Sequence, residues 1–457
     1  MKTYSVDNGI GASLPFLRPG QAEDVIAWRG NQPITRHKFL CDLAALIARL
    51  PDRAHVLNHC EDRYHFLVGL VAALTRGQVS LFPSSRAPEV LAQLTRDYPG
   101  AYCLTDHPQP EEAALMETCG YDTGTAAGAV ADPKFPAEQV VAIMFTSGST
   151  GVPKRYPKTW GSITHEARIA GQRLGLDAQR GGQVLATVPA QHMYGFAYSV
   201  VMPAQWGYVI GAERPFYPED IRRALASRPG PVILITTPVH IRACVLDGVQ
   251  LTTLDFILSS TAPLDAVLAA EAEARYATRV LEFYGSTETG AIAARRQAET
   301  RLWRTFDGIR VATLEEGFRV EAPYFSEPMQ LGDSVEIRSE CEFELFGRNT
   351  ELVKIAGKRI ALGDLNRHLL AIDGVRDGTF FMPGAEAGRE PRLTAFVVAP
   401  GCRREDILDS LRNRIDPVFL PRPLRLVEVL PRNATGKLPR DNLLRLLQET
   451  GEKEAAE

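Results

Sequence analysis

The sequence has no surplus of charge of one sign, and this excludes several kinds of protein. Lysine and arginine total 51 against 55 aspartates and glutamates, so the formal net charge is −4 over 457 residues. A chain without a basic excess has no overall field that would hold it on nucleic acid or on an anionic membrane. Its 37 glycines and 31 prolines are too few for a collagen-like or low-complexity chain. The composition therefore indicates a globular protein of two large or three smaller domains.

The sequence is also poor in cysteine and in long hydrophobic runs. Its seven cysteines are scattered, with no CxxC pair and no zinc-type spacing, which favours reduced thiols. The first residues, MKTYSVDNGIGASLP, contain no apolar segment typical of a secretory signal. A long uncharged run, residues 192–212, is interrupted by Pro203 and Gly207, so we interpret it as a buried helix followed by a core strand. We therefore expect a cytoplasmic protein without a membrane span.

Short apolar strands alternate with amphipathic helices through most of the chain. Helical patterns occupy residues 35–50, 61–76 and 88–97, and strand patterns occupy residues 54–57, 78–82, 101–104, 140–145, 183–188, 232–235, 255–259 and 280–283. Strands separated by helices of this length indicate βαβ units and parallel sheets, hence an α/β fold. Residues 106–136 have the composition of a long surface connection. Residues 310–335 alternate with a period of two, which predicts antiparallel hairpins.

After Arg348 the pattern restarts as a smaller α+β unit of about 110 residues, within the usual size of a domain. We therefore predict an N-terminal domain over residues 1–347 and a C-terminal domain over residues 348–457.

The strongest chemical signal is the segment FTSGSTGVPK, residues 145–154, which follows the apolar strand pattern VVAIM. Hydroxyls and glycines in this arrangement let N–H and O–H groups converge on an anion. These residues are Thr146, Ser147, Gly148, Ser149, Thr150 and Gly151. Lys154 adds a positive charge of the kind that commonly binds phosphate. Because Pro153 precedes the lysine and no serine or threonine follows it, the segment is not the GxxxxGK[ST] loop.

Three further motifs suit other parts of a nucleotide. In YGSTETG, residues 284–290, Glu288 beside hydroxyls suits Mg²⁺ and Tyr284 offers a flat face to a purine. Asp333 in LGD can accept both hydroxyls of a ribose, and Arg348 in the later GR pair can contact sugar or phosphate. Lys437 lies on a glycine turn, PRNATGK. Each of these three motifs alone could be an ordinary polar turn.

In this order, FTSGSTGVPK, YGSTETG, the LGD and GR pair, GRNTELVKIAGKRI and PRNATGK resemble the adenylate-forming superfamily. Its members are acyl- and aryl-CoA synthetases, adenylation domains of peptide synthetases, and beetle luciferases. The resemblance implies a large N-terminal domain of parallel βαβ sheets with a barrel-like subdomain, a hinge near residues 348–350, and a small mobile C-terminal lid. The interval from Glu288 to Asp333 is shorter than usual, so we expect the barrel-like subdomain to be trimmed.

The resemblance also implies the reaction. A carboxylate attacks the α-phosphorus of ATP to give an acyl-adenylate and pyrophosphate, and a thiol then displaces AMP. Lys437 would neutralise charge during the first step, whereas Lys354 would reach the site only in the second step. Thr287 would touch the α-phosphate. The remaining implied contacts are Thr146–Lys154 for the β- and γ-phosphates, Glu288 and Thr146 for Mg²⁺, Tyr284 and Gly285 for adenine, Asp333 and Arg348 for ribose, and Gly357 beside the pantetheine tunnel.

Three positions depart from the pattern of the family. Arg155 replaces the glycine that usually follows the loop lysine, and Leu331 replaces the threonine of the usual TGD. Thr350 occupies the hinge position, where aspartate or lysine is common. None of these changes removes a chemical group that the reaction needs.

The segment PAQHMYG, residues 189–195, occupies the place where the family binds the acid. His192 would lie against the carboxylate, although it could instead be a core histidine. Members that activate amino acids place an aspartate nearby, but no acid lies between Val188 and Ala212, and an unpaired buried ammonium is costly. Tyr194 together with Ser260, Thr261 and Gly285 therefore suits an aryl or short acyl acid.

Three functions remain open from the sequence. The favoured one is an acid–thiol ligase that uses ATP, Mg²⁺ and CoA. The second is an adenylating enzyme that loads the phosphopantetheine thiol of an acyl carrier protein. The third is a non-catalytic nucleotide-binding module, which is disfavoured because every expected lysine and acid is present. Residues 412–440 carry seven cations against two acids, which predicts that this unit faces a phosphorylated thiol.

Overall fold

The computed structural model describes residues 13–83, 85–124, 128–146, 154–314, 317–325, 327–348, 352–355, 358–383, 392–433 and 436–456. Up to residue 146 the elements are β1 (Ser13–Pro15), β2 (Val25–Arg29), β3 (Gln32–Thr35), α1 (Arg36–Arg49), β4 (His55–Asn58), α2 (Arg63–Thr75), β5 (Val79–Phe82), α3 (Pro88–Asp97), β6 (Tyr102–Thr105), α4 (Pro110–Leu115), β7 (Thr118–Gly120), β8 (Lys134–Pro136) and β9 (Val140–Thr146).

The middle of the chain continues the alternation of strands and helices. Its elements are β10 (Lys154–Thr159), α5 (Trp160–Leu174), β11 (Gln183–Ala186), α6 (Met193–Phe196), a π-helical turn (Ala197–Val201), α7 (Met202–Trp206), β12 (Val209–Gly211), α8 (Pro218–Ala226), β13 (Val232–Thr236), α9 (Pro238–Asp247), β14 (Leu254–Ser259), α10 (Ala266–Tyr276), β15 (Arg279–Ser286) and β16 (Gly290–Arg295).

The last third begins with antiparallel strands. Its elements are β17 (Leu302–Thr305), β18 (Arg310–Thr313), β19 (Phe318–Glu321), β20 (Met329–Leu331), β21 (Asp333–Ser339), β22 (Glu342–Arg348), β23 (Leu352–Ile355), β24 (Lys358–Ala361), α11 (Leu362–Leu370), β25 (Asp377–Phe381), β26 (Thr394–Val398), α12 (Arg404–Arg412), a 3₁₀ turn (Pro417–Phe419), β27 (Leu424–Leu426) and α13 (Arg440–Ala456).

Two large sheets place the conserved-looking turns of the sequence at neighbouring strand ends. One sheet has the order β10-β9-β5-β4-β6-β7, and the other has the order β21-β22-β17-β16-β15-β14-β13-β11-β12-β2-β3. The pairs β5/β9 and β14/β15 are parallel, as are the neighbouring pairs that the βαβ pattern predicts. The α/β fold class is therefore confirmed. The phosphate motif follows β9 and the YGSTETG motif ends β15.

Local sequence explains where individual helices begin and end. Helix α2 starts at Asp62, whose carboxylate accepts the backbone N–H groups of Tyr64 and His65, a favourable N-cap. Helix α5 starts at Thr159, whose side chain accepts the N–H of Ser162, and ends at Gly175 with a φ of 72°. A left-handed residue of this kind commonly terminates a helix, and glycine adopts it without strain.

Most of the expected elements are present, and one differs. The uncharged run forms α6, the π-helical turn, α7 and β12, and no helix among the described residues is long and apolar enough to cross a membrane. Strands β18, β19 and β20 form the expected antiparallel sheet. The interval 106–136 was expected to be a surface connection, but α4, β7 and β8 lie within it. Strand β7 extends the first sheet because its residues pair in parallel with β6.

The residues after Val353 have a hydrophobic cluster of their own. Its buried members include Leu365, Phe380, Val397 and Leu411, and they pack around the sheet β25-β26-β27. All seven cysteines are free thiols, as expected. The boundary at residues 347 and 348 remains a prediction, and the hinge residue Thr350 lies outside the described residues.

Candidate active site

The phosphate motif is the connection of an antiparallel strand pair. Strand β9 ends at Thr146 and β10 begins at Lys154, and these two residues face each other across the pair. The connection between them, with Ser147, Gly148, Ser149, Thr150 and Gly151, lies outside the described residues. The two strands bring Thr146 and the exposed Lys154 to its base, where both can face the same anion.

One face of β10 is directed at Glu288. Side chains alternate along a strand, so Lys154, Tyr156 and Lys158 share a face. The phenol of Tyr156 is hydrogen-bonded to the side chains of both Glu288 and Thr146; burial and the Glu288 charge raise its pKa. The ammonium of Lys158 donates to the backbone carbonyl of Glu288, at 2.7 Å. Strand β10 thereby joins the two residues that the sequence assigned to Mg²⁺.

Arg155, which replaces the family glycine, lies on the opposite face of β10. Its guanidinium pairs with Asp97 at 2.8 Å and lies over the ring of Tyr98, 5.1 Å from its centroid. The substitution therefore adds an exposed contact between β10 and α3 and leaves the face with Glu288 unchanged.

The turn between β15 and β16 holds Thr287 and Glu288 at its tip. Gly285 is required there because a Cβ atom would lie 2.0 Å from the carbonyl oxygen of Gly290. The hydroxyls of Ser286 and Thr289 lie 3.1 Å apart, and each receives a backbone N–H from the other residue. The turn is thus stabilised internally, and the half-buried side chains of Thr287 and Glu288 remain at its outer edge.

The donor set at this turn fits Mg²⁺. Glu288 offers a carboxylate and Thr146 a hydroxyl, and Mg²⁺ is commonly held by one or two carboxylates together with substrate phosphates. Among the described residues, no group of three or more histidines, cysteines and acids could hold a metal alone. A metal at Glu288 would therefore need the oxygens of a bound nucleotide.

The side chains of Tyr284 and Asp333 are joined by a hydrogen bond. The phenol of Tyr284 donates to a carboxylate oxygen of Asp333 at 2.8 Å. Its ring packs against Trp303, Phe318 and Phe343, with centroids 5.5, 6.4 and 5.6 Å away. Such aromatic support fixes the orientation of the ring. A flat ring and a carboxylate held side by side suit an adenine and its ribose.

Arg348 lies directly opposite Asp333 in the antiparallel pair of β21 and β22. The residues between LGD and GR therefore form one hairpin, which brings Arg348 back beside Asp333. The side chain of Arg348 lies outside the described residues, so its contact with ribose remains a prediction. Leu331, in place of the usual threonine, is buried and pairs with Phe318 across β20 and β19.

His192 begins α6 and is held as a neutral imidazole. Its Nδ1 accepts the backbone N–H of Tyr194 at 3.3 Å, which leaves the ring proton on Nε2. Burial, together with the positive charge of Lys437, lowers the pKa of His192 to about 3. The segment before α6 passes close to the helix and requires Gly195 within it, because a Cβ atom there would lie 2.0 Å from the carbonyl oxygen of Pro189. His192 can therefore offer a neutral N–H donor to a substrate.

Two hydroxyls that the sequence placed beside the acid are already used within the protein. The phenol of Tyr194 donates to the carbonyl of Leu258 at 2.7 Å, and the hydroxyl of Ser260 donates to the carbonyl of Phe283 at 2.9 Å. Thr261 adopts a left-handed backbone with a φ of 78°, which is strained for a β-branched residue. Tyr194 and Ser260 can thus shape a pocket, but their protons are committed to the backbone.

The PRNATGK turn lies against the start of α9. Gly436 has a φ of 78°, and a Cβ atom there would be 3.2 Å from the side chain of Val239. Arg432 supports the turn by donating to the carbonyl of Gly436 at 2.8 Å and to both carboxylate oxygens of Asp377 at 2.7 and 2.9 Å. The turn therefore carries Lys437 to the side of the site that holds His192.

The residues expected to act on the thiol are less completely described. The backbone of Lys354 lies in β23, opposite Arg359 of β24, but the side chain of Lys354 and the whole of Gly357 lie outside the described residues.

The basic segment 412–440 is less available to an anion than its composition suggested. Arg412 pairs with Asp409, Arg425 donates to the carbonyl of Leu447, and Arg440 donates to the carbonyl of Met382. With Arg432 bound to Asp377, four of the seven cations contact groups of their own unit. The expectation of a broad phosphate-facing surface here is weakened accordingly.

Sequence reasoning missed Tyr156, Lys158 and Glu166. Glu166 of α5 is buried and accepts the backbone N–H of Ala291 at 3.1 Å and the phenol of Tyr198 at 2.5 Å. The alternation Lys154, Tyr156, Lys158 after the phosphate motif was the signal that could have found two of them. No local pattern marked Glu166.

The described residues thus contain a carboxylate beside oxygen donors at Glu288, a hydrogen-bonded pair of Tyr284 and Asp333, and a neutral His192 under the influence of the Lys437 charge. The chain belongs to the AMP-binding enzyme family, whose model matches residues 48–312.

The chain resembles several ligases in sequence and structure. It is 29% identical over 301 residues to a 4-coumarate–CoA ligase of Halorhodospira halophila, covering 64% of this chain and 73% of that protein. It is 27% identical over 354 residues to an L-proline–[L-prolyl-carrier protein] ligase of Pseudomonas fluorescens, covering 68% and 69%. An anthranilate CoA ligase in complex with anthranoyl-AMP has a TM-score of 0.79 at 15% identity, covering 95% and 98%. This last likeness bears on the fold alone.

Proposed function

We propose that the protein activates an aryl or short acyl carboxylic acid with ATP and transfers it to CoA. The observation that carries this proposal is the effect of the Lys437 charge on His192, whose pKa burial and this charge lower together. A carboxylate bound at His192 would lie between a cation and the expected position of the α-phosphate.

In the proposed first step both reactants are anions, so the residues must offset their repulsion. Lys437 neutralises charge as the carboxylate oxygen approaches the α-phosphorus and pyrophosphate leaves. Neutral His192 donates its Nε2 proton in a hydrogen bond to the carboxylate. Mg²⁺, held by Glu288 and Thr146 when bound, would offset charge on the phosphates. In the proposed second step Lys354 approaches and the thiol displaces AMP.

The charges near the acid favour a substrate without an ammonium group. The run from Val188 to Ala212 contains no acid. The buried carboxylate that approaches it from elsewhere is Glu166, and this group already interacts with Lys158 and accepts two hydrogen bonds. A substrate ammonium would therefore lack a free counter-charge in this part of the site, which is costly in a buried environment.

The second candidate is transfer to the phosphopantetheine thiol of a carrier protein. The observation in its favour is the similarity to a prolyl-carrier protein ligase. CoA is favoured because it needs no partner protein. A non-catalytic module is disfavoured because the sequence retains every lysine and acid that the chemistry needs, namely Lys154, Glu288, Asp333, Lys354 and Lys437.

The decisive experiment measures pyrophosphate release across a panel of benzoates, cinnamates, short acyl acids and the standard amino acids. Each acid is then assayed for thioester formation with CoA and with a pantetheinylated carrier protein. We expect the best acid to exceed every amino acid by more than about tenfold in kcat/KM, or ~1.4 kcal/mol. An amino acid within that margin contradicts the proposed acid class, and thioester formation only with the carrier protein contradicts the proposed acceptor.

A further inference from the structure

Two buried side chains of opposite charge are hydrogen-bonded to the backbone of the turn that carries Thr287 and Glu288. Lys158 of β10 is 8% exposed and donates to the carbonyl of Glu288 at 2.7 Å. Glu166 of α5 is 2% exposed and accepts the N–H of Ala291 at 3.1 Å. The two groups therefore bind the backbone on either side of Gly290.

Gly290 lets Glu166 approach this closely. It has a φ of 71°, and a Cβ atom there would lie 2.2 Å from a carboxylate oxygen of Glu166. Tyr198 adds a phenol that donates to the same carboxylate at 2.5 Å and lies 3.3 Å from the N–H of Ala291. The absence of a side chain at Gly290 thus leaves the space that the carboxylate of Glu166 occupies.

Burying two charges is an inefficient way to gain stability. Removing a charge from water is costly, and a well-packed apolar pair of the same volume is often as stable as a buried ion pair or more so. What a buried charged group supplies better than apolar packing is direction, because its hydrogen bonds reach particular backbone atoms. In this turn those backbone atoms are the carbonyl oxygen of Glu288 and the N–H of Ala291.

Lys158 also connects this turn to the phosphate motif. Lys154, Tyr156 and Lys158 alternate along β10, where Tyr156 is hydrogen-bonded to the side chains of Glu288 and Thr146 and Lys158 donates to the carbonyl of Glu288. A shift of the β10 strand would therefore change the position of the Glu288 carboxylate relative to Thr146, the last described residue of β9 before the phosphate motif continues.

We propose that Lys158 and Glu166 are positioning residues that set the distance between the Glu288 carboxylate and the phosphates of bound ATP. This inference rests on the proposed function, since it assumes that Glu288 holds the metal of Mg·ATP. Neither side chain needs to touch the nucleotide, because each acts through the backbone of the turn.

The test compares the affinity for Mg·ATP with the affinity for ATP in EDTA, both by isothermal titration calorimetry. Lys158→Met removes the donor and the charge, and the double variant Lys158→Met/Glu166→Gln removes both charges while the glutamine oxygen still accepts the N–H of Ala291. Changes in groups that orient metal ligands typically weaken metal affinity by about 10–100-fold. We expect the preference for Mg·ATP over metal-free ATP to fall about tenfold in both variants, with metal-free ATP affinity within about twofold of the original value.

A control away from the turn is the pair Arg36 and Asp132, 2.8 Å apart, whose side chains are 5% and 42% exposed. Arg36→Met/Asp132→Asn should lower the melting temperature without changing the preference for Mg·ATP. If the Lys158 variants behave like this control, their role is only structural and the inference is overturned. If Lys158→Met does not fold, the neutral double variant decides the result.

The outcome also separates this inference from the proposed function. If the unmodified protein does not prefer Mg·ATP over metal-free ATP, the assignment of Glu288 to the metal fails and the inference fails with it. If the unmodified protein shows the preference and the variants keep it, only the positioning role is refuted.

Discussion

Replacing Lys437 by alanine should abolish most acyl-adenylate formation while leaving the transfer of an existing adenylate to a thiol. Removing one positioned donor from a developing charge typically costs about 10²–10³ in rate, or about 2.7–4 kcal/mol. Lys437 is exposed, and solvent weakens its field, so we expect the lower end of that range, about 100-fold. The turn itself should persist, because Arg432 and Asp377 hold it independently of the lysine side chain.

The two half-reactions are measured separately. Pyrophosphate release from ATP and the best acid reports the first step, and thioester formation from a synthetic acyl-adenylate reports the second. Arg403→Ala is a suitable control, because Arg403 is an exposed cation of the same unit whose guanidinium pairs with Asp406, and it should change neither rate. An equal loss in both half-reactions for Lys437→Ala would refute the reasoning, since the lysine would then act in binding or folding.

Three other perturbations follow from the same geometry. Lys354→Ala should show the opposite bias, slowing thioester formation more than pyrophosphate release, and an equal effect on both would contradict alternation between two faces. Tyr284→Phe removes the hydrogen bond to Asp333 but keeps the ring, so the KM for ATP should rise by about 10- to 150-fold, which corresponds to the ~1.5–3 kcal/mol of a bond to a charged group, while the KM for the acid stays constant. Burial and the Lys437 charge lower the pKa of His192 to about 3 in the folded chain, against about 6.5 in the unfolded chain. The imidazole therefore stays neutral above pH 5, and the KM for the acid should show no inflection near pH 6.5. Between pH 6.5 and 3 only the unfolded chain takes up this proton, so His192 lowers the free energy of unfolding as the pH falls through that window. A lower KM for the acid below pH 6.5 would contradict this prediction, because it would show that an imidazolium binds the carboxylate.

The sequence by itself determined the elements whose causes are local. Strand and helix periods placed β9, β13, β14 and β15 within a few residues, because alternation and amphipathic spacing depend only on neighbours along the chain. Motif chemistry likewise selected Tyr284, Glu288 and Asp333, since the side chains that suit adenine, Mg²⁺ and ribose are few. The interval between Asp333 and Arg348 carried tertiary information as well, because one hairpin of that length returns the chain to the same position.

Only the tertiary structure decided which of the candidate polar groups are free to act. The hydroxyls of Tyr194 and Ser260 looked available beside the acid, but each donates to a backbone carbonyl from a distant strand. No short pattern showed which backbone groups Lys158 and Glu166 bind, because their partners lie 130 and 125 residues away along the chain. A buried polar group must find a partner wherever the fold brings one, and that partner is set by sheet order and strand register, which no short pattern in the sequence contains.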